Sequence, residues 1–179
     1  MFYRRKIILA LMQAFDGNLP KISLQKLLFL FAIRQTKPGY DFVPYHYGCY
    51  SFSANADLRA MVGHGLLSED NISFTKLDKI NYVATLTETD KKILIDIKNA
   101  YGKLSSNSLM KFTYLNYQYF AINSIKAKEI LTDEQYLKVL KAKPKSNETI
   151  LFTIGYQGIS LEEYLKDYSE HRLKLLRHF

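Results

Sequence analysis

Basic side chains are the first residues of this sequence whose chemistry suits binding. The chain of 179 residues carries a formal net charge of +8, and its bases are unevenly distributed. Residues 1–40 hold seven bases against one acid, Asp16, and residues 97–128 hold five lysines and no acid. Clustered positive charge attracts nucleic acids and acidic proteins alike, so either is an expected partner. A solvated basic surface without a binding role is the alternative interpretation.

Seven bases form the predicted nucleic-acid site. The predicted helix 52–63 is the nominal recognition helix, and Arg59 is its best candidate for contacting a base edge. The same helix carries Asp57, which phosphates repel, so base-specific recognition by this helix is disfavoured. The predicted phosphate ligands are Lys76 and Lys79 on a wing, Lys21 and Lys26 on the second helix, and Arg4 and Arg5 near the N-terminus.

Tyrosines form the predicted partner-binding site. Six aromatic residues fall between positions 40 and 52, and Tyr45, Tyr47 and Tyr50 are the ones assigned to a partner. Rigid aromatic side chains anchor protein interfaces and also stack on nucleic-acid bases. The alternative is that this segment covers the hydrophobic core of the first three helices. Residues 111–128 also interleave aromatics with lysines, and a single buried helical stripe explains them more simply.

Catalytic and metal chemistry find little support in the residue pattern. No pair of carboxylates, Ser-His-Asp set or Cys-His set has a telling spacing, and His46 near Cys49 is too slight a signal for a nucleophile. One cysteine with four scattered histidines gives no metal-ligand spacing. The sequence therefore predicts no catalytic residue, metal or cofactor. The glycines 155 and 158 precede a helix start and suit phosphate, although a structural turn is the simpler interpretation.

Hydrophobic periodicity supplies the elements that must position these residues. It predicts helices at 2–15, 23–35 and 52–63, an aromatic loop at 41–50, and a two-stranded wing within 66–86 whose last strand is 81–86. Further helices are predicted at 88–101, at about 108–119, and from the capping box at Thr132 to about residue 141. This order predicts the α+β class, as a winged helix-turn-helix with a C-terminal helical extension, over residues 1–140.

The C-terminal region follows a basic linker at 141–148 and is predicted to be a short α/β stub over 149–179. Residues 149–154 suit a buried strand, 155–158 a glycine turn, and Ser160 with Glu163 the capping box of a helix. These are the first elements of a βαβ unit, so we expect a truncated domain. A lone strand exposes unpaired edges, and a homodimer through 149–154 is the favoured way of covering them. Docking on the first domain and pairing with a separate polypeptide are the alternatives.

Two family resemblances rest on specific stretches. The first resemblance rests on four stretches: Leu-Gln-Lys-Leu-Leu-Phe-Leu at 24–30, Tyr-His-Tyr-Gly-Cys-Tyr-Ser at 45–51, Asp-Leu at 57–58 and Gly-Leu-Leu at 65–67. With these stretches, about residues 5–130 resemble the Panacea, or SocA-like (DUF4065), antitoxin-type winged-helix domains. Residues 152–165, Phe-Thr-Ile-Gly-Tyr-Gln-Gly-Ile-Ser-Leu-Glu-Glu-Tyr-Leu, resemble the start of the DUF488 family, most of whose domain this chain lacks.

The Panacea resemblance implies a non-enzymatic regulatory or antitoxin-like module, often found in phage-defence loci, that binds a cognate protein such as a toxin or an effector. A sequence-tolerant winged-helix regulator that binds DNA or RNA is the alternative. A second alternative is a fragment of an enzyme whose catalytic part lies in the missing DUF488-like portion. The single cysteine and the lack of an eighteen-residue apolar run predict a cytoplasmic protein without a membrane partner.

Overall fold

The computed structural model describes residues 1–144 together with residues 160, 162, 163 and 166. Within these residues the chain is a mixed α+β protein of seven α-helices and five short strands. The first half runs α1 (Tyr3–Ala14), β1 (Asn18–Pro20), α2 (Lys21–Ala32), β2 (Val43–Tyr45), β3 (Gly48–Tyr50), α3 (Phe52–Gly63), β4 (Leu67–Glu69) and β5 (Ser73–Lys76). The second half is helical, with α4 (Glu88–Tyr101), α5 (Ser106–Asn116), α6 (Ala127–Ile130) and α7 (Asp133–Lys141).

Helix α2 is the centre of the core. All ten residues from Ser23 to Ala32 are buried, and the helix contacts α1, α4, α5, β1 and β3. A helix that is apolar around its whole circumference is stable only when other elements surround it. Helix α1 packs beside it and buries Ile7 to Met12. A smaller cluster joins α5 to α7 through Met110, Tyr114 and Val139.

Two small antiparallel sheets flank the helices. One sheet has the order β1-β5-β4, with Leu19 opposite Phe74 and Glu69 opposite Phe74 on its other side. The other is the β2–β3 hairpin, with Val43 opposite Tyr50. This hairpin lies between α2 and α3 and therefore separates the two helices along the chain.

The structure corrects several predicted elements. The predicted strand 81–86 is instead a 3₁₀ turn at Val83–Thr85. The third strand of the sheet is β1, which was not predicted as a strand. The aromatic loop 41–50 contains the β2–β3 hairpin, and α5 ends at Asn116, followed by a 3₁₀ turn at Gln118–Ala121. Helix α6 was not predicted. Strands of three residues are too short to show an alternating pattern.

The capping box predicted at Thr132 is confirmed, and a threonine also caps α4. Thr87 caps α4 by accepting from the N–H of Asp90, and Thr132 with Gln135 forms both arms of a capping box on α7. Helices α3 and α4 have the predicted bounds. In the C-terminal region, the Ser160 hydroxyl accepts from the N–H of Glu163 at 3.0 Å, which is one arm of the predicted capping box. The predicted strand 149–154, and with it the proposed homodimer contact, lies outside the described residues.

Candidate binding cleft

A cleft of about 580 Å³ brings the predicted partner-binding tyrosines together with three of the seven predicted nucleic-acid ligands. Its walls are α2, the β2–β3 hairpin, α3 and the β1-β5-β4 sheet, and we call it the tyrosine cleft. Three predicted partner-binding tyrosines and three predicted nucleic-acid ligands line it: Tyr45, Tyr47, Tyr50, Lys21, Lys26 and Arg59. The buried side chains of Leu58 and Phe74 contribute apolar surface to it. One concave surface therefore offers aromatic, apolar and cationic groups at once.

The aromatic wall of the tyrosine cleft is held by contacts among its own rings. Tyr45 lies 5.0 Å from Tyr50 and 5.4 Å from Phe52 between ring centroids, and Tyr50 lies 4.9 Å from Phe52. His46 stacks on Tyr45 at 4.1 Å. Offset and edge-on ring pairs of this kind restrict side-chain freedom. The wall is consequently preorganised before a ligand arrives.

Exposure divides the aromatic segment into two parts. Tyr40 and Phe42 are buried in the core, as the alternative interpretation expected, whereas Tyr45 is 36% and Tyr47 41% exposed. Tyr50 is half-buried between these groups. Burial raises the pKa of Tyr50, and the nearby Arg59 guanidinium opposes that rise. Tyr50 therefore stays a neutral hydrogen-bonding group at physiological pH.

Arg59 is the cation best placed to meet a ligand in the tyrosine cleft. Its side chain is exposed at the cleft, and no salt bridge or hydrogen bond to it is found among the described residues. Lys21, at the other side, is half-exposed and pairs with Glu69 at 2.7 Å between Nζ and Oε1. An incoming carboxylate would have to compete with Glu69 for Lys21, whereas it would meet no competing carboxylate at Arg59 among the residues that the structure describes.

Lys26 occupies a different position from the one predicted for a phosphate ligand. It is 1% exposed, and its Nζ donates to the carbonyl oxygen of Cys49 at 2.9 Å. Burial lowers the pKa of Lys26, because the charged ammonium loses hydration. The neighbouring Gln25 is also buried and accepts from the N–H of Ser51. These two polar side chains of α2 therefore fix the hairpin and the start of α3 rather than face solvent.

Replacing Lys26 with methionine is expected to remove a pH dependence of stability. The folded pKa of Lys26 lies below its ordinary value of 10.5, so the stability it allows is present above pH 10.5 and is lost as the pH falls through the folded pKa. Chemical unfolding between pH 10 and 7 should show Lys26→Met gaining on the wild type as pH falls, by at most about 1.4 kcal/mol for each pH unit.

The matched control for Lys26→Met is Lys138→Met, which changes an exposed lysine within α7. Its difference from the wild type should stay constant over the same pH range. Equal pH dependence in the two variants would show that burial does not lower the pKa of Lys26.

Arg4 and Arg5 were predicted to bind phosphates, but the structure engages both with Asp57. Each arginine donates from Nε to a different Asp57 carboxylate oxygen at 2.7 Å, and Tyr40 donates its hydroxyl at 2.9 Å. Asp57 was expected on the outer face of α3 and is instead 2% exposed. Burial alone raises the pKa of Asp57, but the three hydrogen bonds outweigh it and the pKa falls below 3.8. This cluster ties α1 to α3.

The two predicted wing lysines have different surroundings. Lys76 is largely buried and pairs with Asp78 at 2.6 Å, and Tyr82 donates to the same carboxylate. Burial raises the pKa of Asp78, and the bonds from Lys76 and Tyr82 lower it further than burial raises it. Lys79 is exposed. Of the two predicted phosphate ligands on the wing, Lys79 is thus the one whose charge is exposed to solvent.

No group of three or more His, Cys, Asp or Glu side chains is placed to hold a metal within the part of the chain that the structure describes. Cys49 is buried and lies beside Lys26 rather than beside His46, which is exposed. None of the described helices has the length and apolar character needed to cross a membrane.

A scan of the chain against protein-family models gives no match, and a search of curated proteins gives none. The resemblances to Panacea-type and DUF488-type domains therefore stay predictions.

Proposed function

We propose that this chain is a non-enzymatic binding module of the antitoxin-like, defence-associated kind, and that its tyrosine cleft binds an acidic segment of a partner protein. The observation that carries the proposal is the convergence of Tyr45, Tyr47, Tyr50 and Arg59 on one preorganised concave surface. Tyrosine and arginine are the residues most often responsible for binding energy at protein interfaces. The exposed Arg59 supplies the charge that an acidic segment would neutralise.

The order of elements supports a winged helix-turn-helix within this proposal. Helix α1, strand β1, helices α2 and α3, and the β4–β5 hairpin follow one another as they do in winged helices, and β1 joins the hairpin in one sheet. The β2–β3 hairpin is an insertion between α2 and α3. It provides the tyrosines, so the insertion and the proposed binding function arise from the same segment.

Helix α3 favours a protein partner over base-specific DNA binding. Its exposed positions are Ala56, Arg59 and Gly63, and Asp57 is turned inward onto Arg4 and Arg5. A helix that contacts bases in the major groove needs several long polar side chains on its outer face. With Arg59 exposed and Asn55 half-exposed, α3 offers two such side chains and has little means of distinguishing base pairs. Sequence-tolerant binding to phosphates is the second candidate function, and the net charge of +8 with the exposed Lys79 favours it.

A peptide-library selection tests the proposed function. The full chain is immobilised, peptides are selected from a random displayed library, and their affinities are measured by calorimetry. Selected peptides should be enriched in Asp and Glu. Tyr47→Ala and Arg59→Glu should each lower the affinity for the selected peptides at least tenfold, because each removes an anchor worth about 1.4 kcal/mol or more.

Lys79→Glu is the matched control for Arg59→Glu, since it makes the same change of charge at an exposed site that does not line the tyrosine cleft. It should leave peptide affinity within about twofold. Equal losses in both charge variants would contradict the cleft as the site. Tight binding of duplex DNA at about 50 mM salt, with affinity falling steeply as salt rises, together with no peptide enrichment, would replace this proposal with the nucleic-acid function.

A further inference from the structure

The amino-terminal end of α3 holds a carboxylate from the C-terminal region of the same chain. Glu162 is 1% exposed, and one of its oxygens accepts from the N–H of Ser53 at 2.6 Å and from the hydroxyl of Ser51 at 3.1 Å. The Ser51 hydroxyl in turn accepts from the N–H of Ala54. The first N–H groups of a helix have no partner within the helix, and a carboxylate suits the positive end of its dipole. Glu162 and Ser51 together therefore cap α3.

The same region of the chain lies against an aromatic groove beside this cap. Phe29 packs edge-on against Phe42 at 5.4 Å and Phe120 at 4.7 Å between ring centroids. These three residues, together with Glu162, Glu163 and Lys166, line a cavity of about 240 Å³. The described C-terminal residues thus border an aromatic cavity, next to the point where the Glu162 carboxylate bonds α3.

One residue connects this contact to the tyrosine cleft. Phe52 is the first residue of α3 and stands between Ser51 and Ser53, both of which bond Glu162. Its ring packs edge-on against both Tyr45 and Tyr50, which form the aromatic wall. Burial is the main cause of the raised pKa of Tyr50, Arg59 opposes the rise, and the Tyr45 hydroxyl and the Glu162 carboxylate add smaller contributions to it. Glu162 is therefore connected to the aromatic wall through the backbone of α3, through the ring of Phe52 and through its own charge.

We propose that Glu162 is a positioning residue for the tyrosine cleft: by capping α3 it holds Phe52 and thereby the aromatic wall, so that docking of the C-terminal region and ligand binding in the cleft are coupled. The ligand in this proposal is that of the proposed function, and the proposal rests on that function to this extent. The coupling between the α3 cap and the aromatic wall does not depend on it. Because coupling between two sites is reciprocal, a ligand that needs the ordered wall also strengthens the docking.

Hydrogen exchange on the full chain tests the coupling without a ligand. Glu162→Gln keeps the shape of the side chain and removes its charge, which weakens both hydrogen bonds to α3. The amides of Ser53 and of the β2–β3 hairpin should exchange about tenfold faster, a factor that corresponds to about 1.4 kcal/mol. The adjacent Glu163→Gln is the matched control, since Glu163 is exposed and changes charge by the same amount.

Three outcomes decide the proposal. Faster exchange at both Ser53 and the hairpin in Glu162→Gln, with no change in Glu163→Gln, supports it. Faster exchange at Ser53 alone overturns it, because Glu162 would then cap α3 without acting on the aromatic wall. Identical behaviour of the two variants also overturns it. Selected acidic peptides, where they are obtained, should bind Glu162→Gln about tenfold more weakly, whereas failure to select any peptide refutes the proposed function and leaves the exchange result intact.

Discussion

Replacing Asp57 with asparagine is expected to lower the free energy of unfolding by about 3 kcal/mol, the lower end of the range found when one partner of a buried ion pair is removed. The carboxylate is buried and accepts hydrogen bonds from Arg4, Arg5 and Tyr40. An amide in its place presents donors to two guanidinium groups that need acceptors. The lower end applies because the Arg4 side chain is 42% exposed and water will hydrate it once the pair is broken.

The effect of Asp57→Asn should depend on pH with a definite sign. The folded pKa of Asp57 is lowered, so the stability it contributes is present above its unfolded pKa and is lost as the pH falls through the folded value. Thermal melting should show a large difference between wild type and variant at pH 7 and a smaller one below about pH 4, where the unfolded carboxyl becomes protonated.

Asp41→Asn is the control for this experiment, because Asp41 is exposed on the segment that leads into the β2–β3 hairpin. It should change the free energy of unfolding by less than about 0.5 kcal/mol. Equal stabilities of Asp41→Asn and Asp57→Asn at pH 7 would show that Arg4 and Arg5 are not held by Asp57, and would restore them as candidate phosphate ligands.

The sequence predicted well those features that depend on neighbouring residues. Helix α4 begins at the predicted residue because Thr87 has the side chain that caps a helix and the apolar residues Ile93, Leu94 and Ile97 then follow at helical spacing. The same local chemistry located the caps at Thr132 and Ser160. The strands were harder to predict, because β1 is a strand only through its pairing with β5, more than fifty residues later.

The candidate site was predicted in its residue types and not in its arrangement. Arg59 and the tyrosines were separate predictions, and only the folding of the hairpin against α3 places them on one surface. A signal for Asp57 was nevertheless present. With Ala54 and Met61 it follows the spacing of the buried stripe of α3, and a carboxylate on such a stripe indicates cationic partners elsewhere in the chain.

Lys26 carried a similar signal. It is flanked by Leu24, Leu27 and Leu28 in a helix whose apolar residues leave no polar face, so its ammonium had no route to solvent. Electrostatic reasoning from the sequence counted it as a surface charge because the partner that accepts its hydrogen bond, the carbonyl of Cys49, is twenty-three residues away.

Gly48→Ala is expected to destabilise the chain by about 3 kcal/mol, because the new methyl group meets two separate obstacles. Gly48 has a φ of +91°, a conformation that costs an L-residue about 1 kcal/mol or more. A Cβ there would also lie 2.6 Å from a ring carbon of the buried Tyr114 and 3.2 Å from Nζ of Lys26. The Tyr114 ring is fully buried and has little space to move. Chemical unfolding measures the loss.

Gly65→Ala separates the two causes. Gly65 also has a positive φ, of +68°, but nothing lies within 4 Å of the position that its Cβ would take. Gly65→Ala should therefore lower the free energy of unfolding only by the conformational cost, about 1 kcal/mol. The difference between the two variants then measures the clash of the new methyl group with Tyr114. Tyr114→Leu should reduce the cost of Gly48→Ala when the two are combined, because neighbouring substitutions that share one space are not additive. Additive losses, or equal losses at Gly48 and Gly65, would contradict this clash. They would mean that the β2–β3 hairpin does not pack against Tyr114 and Lys26 as closely as the structure shows.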